Sequence, residues 1–368
     1  MSEPKQVQVL RSAQDDNDST RPARVGEEID LKHLGAFLAA TLPELATGEI
    51  AVEQFPGGFS NLTYLVRTGG GELVLRRPPR GAHVKGGHDM AREFALLSAL
   101  HGPYGKVPRP LAYCDDESVI GSPFYLMERV YGVILRGTVP EGIVLRAVSE
   151  TLIDTLSDLH AFDWRSAGLE KLGRPDGYVA RQVVGWTARY AAARTDDVPA
   201  LERVAAWLAE HRPADSSASL IHNDYKYDNV VLRAEGAPEI VAVLDWEMAT
   251  VGDPLMDLGS ALAYWMDADD PDEMRSVLPS ITTHPGNLSR AEVLHRYAAH
   301  SGRDVPDSVF YYAFGLFKIA VILQQIYARY KQGLTADPRF ASLGAAVNAC
   351  ALGASLSIDK GRIDRLSQ

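Results

Sequence analysis

The first periodic stretch of the chain, Asp30–Leu42 (DLKHLGAFLAATL), places Leu31, Leu34, Phe37, Leu38 and Leu42 on one face at helical spacing. After Pro43 the period changes. Ala51–Phe55, Leu62–Thr68 and Glu72–Arg77 are short β-type runs, punctuated by PGGFSN and TGGG, the second of which predicts a hairpin turn. Met90–Leu100 returns to a 3.6-residue period with Phe94, Leu97 and Leu100 inward, and Pro108–Tyr113 and Pro123–Val130 read as two further strands around a polar turn. Five strands and one inserted helix therefore form a β-rich unit ending near Val130. Beyond it the pattern is helical. Ile143–His160 carries Val144, Val148, Leu152, Ile153, Leu156 and Leu159 on its apolar side, and Arg181–Ala193 and Pro199–His211 follow. Further helices are expected around Asp257, Ser289, Asp307 and Leu343. One interruption stands out: Val230–Arg233 and Ile240–Leu244 flank AEGAP as a second hairpin.

The remaining segments are read by composition. Residues 1–29 are polar, lack the apolar stretch of a signal peptide and are expected to be disordered. The acidic block Asp267–Glu273 (DADDPDE) reads as a solvated loop. Val309–Ala328 is the most apolar run, but Lys318, Gln324 and Gln325 interrupt it, so a buried helix is expected and no membrane association. Of the 368 residues, 48 are acidic and 37 basic, and the net charge of −11 argues against a general nucleic-acid binder. Two cysteines in unrelated contexts, Cys114 and Cys350, fit a reducing, cytoplasmic setting.

Candidate chemistry centres on the second hairpin. If Val230–Arg233 pairs with Ile240–Val243, Asn229 and Leu244–Asp245 face each other at its open end, and Asp224 lies on the loop leading in. Two oxygen donors, Asn229 and Asp245, beside a further carboxylate suit Mg²⁺, a hard cation that keeps waters and shares phosphate oxygens. The spacing in IHNDYKYDN (residues 221–229) followed by LDW (residues 244–246) matches the phosphotransfer arrangement of protein kinases. There the first Asp accepts the proton of an acceptor hydroxyl, which assigns Asp224 as base. Lys226 would set a positive charge beside the transferred group, and His222 reads as a structural histidine.

With His222, Asp224, Asn229 and LDWEMATVGDPLMDLG at Leu244–Gly259, the chain resembles the aminoglycoside phosphotransferase-like small-molecule kinases. NDYKYDN and LRRPP look closest to members found alone in actinobacteria or fused to acyl-CoA dehydrogenases. The resemblance implies an α+β, protein-kinase-like two-lobe fold. Its β-rich N-lobe would span residues 30–130, with a hinge at 127–130, and its helical C-lobe residues 131–368. It also implies ATP and Mg²⁺ as cofactors and a small-molecule hydroxyl as acceptor. In such a lobe FPGGFSN covers the phosphates, with Gly58 allowing close approach and Ser60 and Asn61 donating. Arg76, with Arg77 as the next candidate, stands where a third-strand lysine is usual and would fork onto phosphate oxygens, oriented by Glu93. Glu128 and Val130 would meet the adenine edge through their backbone. Asp257 is expected to cap a helix, and the resemblance also makes it a brace for the catalytic loop, two roles that can coexist.

The acceptor is expected to be an aminoglycoside-like compound or, in preference, a metabolite such as a hydroxyacyl thioester. A cationic antibiotic would need carboxylates, for which Asp267–Glu273 is the candidate. Two other classes are weighed against the kinase. A nucleotide-binding pseudokinase would explain Arg76 and the absence of GxGxxG in the covering loop. A metal-dependent phosphohydrolase would need a larger His/Asp cluster, and a P-loop NTPase is excluded because no GxxxxGK[ST] occurs.

Overall fold

The computed structural model describes residues 20–56, 61–79, 88–278, 280–335 and 338–368. Helix α1 (Leu31–Thr41) starts where Asp30 accepts the backbone N–H groups of Lys32 and His33, and it buries Leu34 and Leu38. Then come β1 (Ala51–Gln54), β2 (Leu62–Thr68), β3 (Gly71–Arg77), α2 (Met90–His101), β4 (Pro110–Cys114), the short α3 (Glu117–Ile120) and β5 (Phe124–Glu128). The five strands form one antiparallel sheet in the order β1-β2-β3-β5-β4. Leu62 to Thr68 pairs with Arg77 to Gly71 through a two-residue turn at Gly69–Gly70. One face of this sheet packs on α1 through Tyr64, Val66, Leu73, Leu75, Phe124 and Leu126.

The segment Thr20–Ile29, expected within the disordered lead-in, is instead attached to the sheet. Arg21 exchanges two backbone hydrogen bonds with Gln54, the Tyr64 hydroxyl donates to the Glu27 carbonyl, and Ile29 is buried. Polar composition misled here because backbone pairing at a sheet edge needs no apolar side chains.

The helical part contains α4 (Leu145–Ala161), α5 (Tyr178–Ala193), α6 (Pro199–Glu210), β6 (Ser219–Ile221), β7 (Val230–Leu232), β8 (Ile240–Val243), β9 (Thr250–Gly252), α7 (Pro254–Ala263), α8 (Asp272–Val277), α9 (Arg290–Ser301), α10 (Ser308–Lys331) and α11 (Leu343–Lys360). Strands β7 and β8 pair as expected, with Val230 opposite Val243. The antiparallel pair β6–β9 escaped the sequence reading; three residues per strand give no alternation to detect. Val144, expected on the apolar face of α4, is its exposed N-cap, because the helix starts one residue later.

By length and composition, α10 and the segment Pro338–Lys360 would each suffice to cross a bilayer, yet 72% and 56% of their apolar windows are buried inside the protein. Helix α10 is therefore the central core helix, as its interrupting Lys318 and Gln324 imply. It meets α7 backbone to backbone: a Cβ on Gly315 would lie 2.3 Å from the Gly259 carbonyl oxygen. That close approach brings Lys318 up against the loop that follows β6.

The acidic block is solvated only in part: Asp272 and Glu273 are exposed, but two of its carboxylates are not. Asp267 and Asp270 are buried around the fully buried Arg290, whose Nη1 donates to Asp270 at 2.6 Å and whose Nε lies 3.5 Å from Asp267. Arg290 also donates to the carbonyls of Ile363 and Trp265, so this cation is held by two carboxylates and two carbonyls. The block carries no signal of this because its counter-charge lies on α9.

Candidate active site

The loop between β6 and β7 is fixed from below by Asp257. This residue is fully buried one turn into α7, and its carboxylate accepts the backbone N–H groups of His222 and Asn223, both at 2.7 Å, and lies 3.1 Å from His160 Nε2. Burial pushes the Asp257 carboxyl up, but His160 and the loop amides outweigh it and hold it below its ordinary value. The cap of α7 is Asp253, which accepts the N–H of Leu255; Asp257 is a brace and not a cap.

His222 lies inside this frame. Its Nε2 donates to the Leu244 carbonyl at 2.9 Å and its Nδ1 accepts the Asp224 N–H at 3.3 Å. Burial lowers its pKa, which fits a neutral ring tying the catalytic loop to the end of β8. Asn223, next in the chain, has φ 66°, in the left-handed region that asparagine tolerates better than most residues.

Asp224 is held by three donors. Lys226 Nζ lies 2.9 and 2.8 Å from its two oxygens, the Tyr264 hydroxyl donates at 2.8 Å, and Asn229 Nδ2 donates at 2.9 Å. Burial raises the Asp224 pKa, but the Lys226 charge and the Tyr264 hydrogen bond more than offset it, so the carboxylate stays ionised. Lys226 also sits 4.4 Å from the Tyr264 ring centroid, and its pKa is raised chiefly by Asp224 against the opposing effect of burial. Tyr264 carried no sequence signal: it lies forty residues downstream in the turn ending α7.

Asn229 and Asp245 come together as the hairpin pattern required. The Leu244 N–H donates to the Asn229 carbonyl at 2.8 Å, one step beyond the Val230–Val243 pair. With its amide nitrogen committed to Asp224, Asn229 has its amide oxygen left for a cation. Asp245 has φ 64° and remains about one-third exposed at its side chain. Both residues line a cavity of about 240 Å³ between the five-stranded sheet and the β7–β8 hairpin. Its walls are Val74, Met127, Val130 and Leu244 on the apolar side, with Arg76, Glu93 and Glu128 among its charged residues.

At the wall of this cavity the Arg76 guanidinium is turned toward carboxylates. It is buried, ion-paired to Asp245, and lies 3.3 Å from Glu93 and 3.1 Å from Glu247. Glu93 is buried too, which answers the expectation of an oriented Arg76–Glu93 pair. Glu247 was not anticipated; only its place two residues beyond Asp245 hinted at it. Asn61, expected as a phosphate donor, instead donates to Glu247 at 2.6 Å and lies 2.9 Å from His88 Nδ1 through its oxygen. Gly58 and Ser60 lie outside the described residues. The Glu128 N–H and carboxylate are both bonded to the backbone of Arg109, so neither is directed at a cleft ligand. Val130 lines the cavity beside it.

Among the described residues no cluster of three or more His, Cys, Asp or Glu is arranged to hold a metal. Asn229 and Asp245 are the pair of oxygen donors that meet at the open end of the hairpin.

The chain is similar in sequence and fold to known proteins. Acyl-CoA dehydrogenase family member 10 of Mus musculus is 36% identical over 316 residues, which is 84% of this chain and 29% of that protein. The chain thus spans less than a third of that relative's length. A Ralstonia eutropha protein provisionally assigned as an aminoglycoside phosphotransferase has a crystal structure that matches with TM-score 0.76 and 31% identity, covering 90% of this chain and 99% of that one. Spectinomycin phosphotransferase in complex with ADP and spectinomycin shares the fold at TM-score 0.57 and 12% identity, over 89% of this chain and 98% of that one. The profile of the phosphotransferase enzyme family matches residues 51–303, from β1 through the end of α9, and the chain belongs to that family.

Proposed function

We propose that the chain transfers the terminal phosphoryl group of ATP to a hydroxyl of a small molecule, with Asp224 receiving the hydroxyl. The fixing of Asp224 by Lys226, Tyr264 and Asn229 beside the Asn229–Asp245 cavity carries this reading. An ionised carboxylate with a depressed pKa is a weak base. It suits a loose phosphoryl transfer, where the acceptor hydroxyl is held in line and gives up its proton late. Lys226 keeps that carboxylate in one orientation and adds positive charge beside the incoming group.

Mg²⁺ fits the Asn229 amide oxygen and the Asp245 carboxylate, since it retains waters and takes phosphate oxygens for its other positions. When bound it would neutralise charge on the nucleotide phosphates. Asp245 must then exchange Arg76, which stays anchored by Glu93 and can fork onto phosphate oxygens. The adenine would lie between Val74 and Leu244, against the backbone of Glu128 and Val130 at the 127–130 hinge. Residues 30–130 and 131–368 then act as the two lobes of the cleft.

For the acceptor, a metabolite such as a hydroxyacyl thioester is favoured over an aminoglycoside. Asp267 and Asp270, the carboxylates a polycation would need, are spent on Arg290. The nucleotide-binding pseudokinase remains the second reading because Arg76 occupies Asp245.

The test is ADP release from Mg·ATP against a panel of aminoglycosides, sugars, amino alcohols and 3- and 4-hydroxyacyl thioesters, with Asp224→Ala as control. Turnover on one class that falls about 10²- to 10⁴-fold in the variant is expected. Nucleotide binding without turnover on any hydroxyl compound would favour the pseudokinase.

A further inference from the structure

A second cavity, of about 300 Å³, lies beside the catalytic loop and shares no lining residue with the nucleotide cleft. Arg174, Arg181, Arg189 and the buried Lys318 line it together with Trp186, and its described lining residues include no carboxylate. In a chain with 48 acidic and 37 basic residues, four cations converging on one concavity make a local field opposite to that of the whole molecule.

The cations are held by neutral partners. Arg181, near the start of α5, donates to the carbonyls of Arg174 and Asp176. Two turns on, Arg189 lies 4.7 Å from the Trp186 ring centroid. Gly185 stands between them on the same helix face, and a Cβ there would approach Arg189 Nη1 to 3.3 Å. Lys318 Nζ donates to the Asn223 carbonyl at 2.6 Å and sits 5.9 Å from the Trp186 centroid. These direct partners are neutral, and the carboxylates that act on Lys318, Asp224 and Asp257, do not line the cavity.

Position supplies the link to chemistry. Asn223 lines this cavity and directly precedes Asp224, so the cavity abuts the loop that carries the reacting carboxylate. Resting on the kinase reading above, we propose that this cavity binds a phosphate or pyrophosphate group carried by the acceptor whose hydroxyl meets Asp224. Guanidinium forks suit phosphate oxygens, and the Trp186 ring adds an apolar wall for the rest of the molecule.

The test is calorimetric titration of coenzyme A and of inorganic pyrophosphate into the full chain holding one equivalent of Mg·ADP, with Arg181→Gln/Arg189→Gln as the variant. Coenzyme A is expected to bind more tightly than pyrophosphate, to weaken with added salt, and to lose about tenfold or more of its affinity in the variant while ADP affinity is unchanged. Binding of neither probe in the millimolar range, or binding indifferent to the two substitutions, overturns the proposal. Equal affinity for the two probes assigns the cavity to free phosphate and overturns its role in acceptor binding. A panel silent in ADP release while coenzyme A still binds would sink the kinase reading alone.

Discussion

Arg76 and Asp245 form an ion pair across 169 positions of sequence, joining the third strand of the sheet to the end of the catalytic hairpin. Glu93 and Glu247 share the same guanidinium. One buried cation therefore couples the sheet, α2 and the LDWE segment, and the carboxylate proposed for Mg²⁺ is paired with arginine.

Glu93→Gln should destabilise the fold by about 1–3 kcal/mol. The buried Arg76 would keep two of its three carboxylates, so the loss is smaller than for a fully orphaned charge. It should also raise KM for ATP, because Arg76 would lose its anchor on α2. Urea unfolding and nucleotide-dependent initial rates measure the two effects. An unchanged unfolding midpoint would mean that Glu93 does not hold Arg76.

Much of this site was legible in the sequence because it is local. A hairpin pattern fixes which residues stand outside its ladder, so the meeting of Asn229 with Asp245 follows from strand period alone. Glu247, Tyr264 and the true partners of Asn61 were not legible, since each depends on elements brought together by the tertiary fold. The acidic block misled for the same reason: four Asp and one Glu in seven residues read as solvated until Arg290 is seen between two of them. Asp257 resolved the other way. Its motif allowed a cap or a brace, and the presence of Asp253 at the cap leaves it free to hold the loop.

Tyr264→Phe removes the hydroxyl that donates to Asp224 while keeping the ring beneath Lys226. A hydrogen bond to a charged group contributes about 1.5–3 kcal/mol, so kcat should fall roughly 10- to 10²-fold if that bond orients the carboxylate for transfer. KM for ATP should stay as it is. A drop confined to KM would show that Tyr264 serves binding and not the orientation of Asp224.

Asp257→Asn and Asp253→Ala separate the brace from the cap. Asp257 accepts two loop amides and faces His160 in a fully buried setting, so its neutralisation should cost about 3 kcal/mol or more and collapse turnover with it. Asp253 accepts the N–H groups of Leu255 and Ser216, and its loss should cost about 1–2 kcal/mol with turnover largely kept. Thermal or urea unfolding beside ADP release distinguishes them; equal effects on turnover would remove the special role of Asp257.

Lys318 gives the anion cavity a pH dependence of definite sign. Burial lowers its pKa to about 8, against the pull of Asp224 and Asp257, with Lys226 adding to the fall. Between about pH 8 and the unfolded value near 10.5 the unfolded chain binds the extra proton, so this group makes stability rise with pH across that window. Affinity for a phosphate-bearing ligand should move oppositely, falling about three- to tenfold as the native ammonium loses its charge above pH 8. The arginines of the cavity stay charged over the same range, so the residual affinity is theirs. Lys318→Met should flatten both trends, and its coenzyme A affinity should match that of the unsubstituted chain at high pH. Calorimetry from pH 7 to 9.5 reads the binding and urea unfolding the stability. A flat binding profile in the unsubstituted chain would exclude Lys318 from the site.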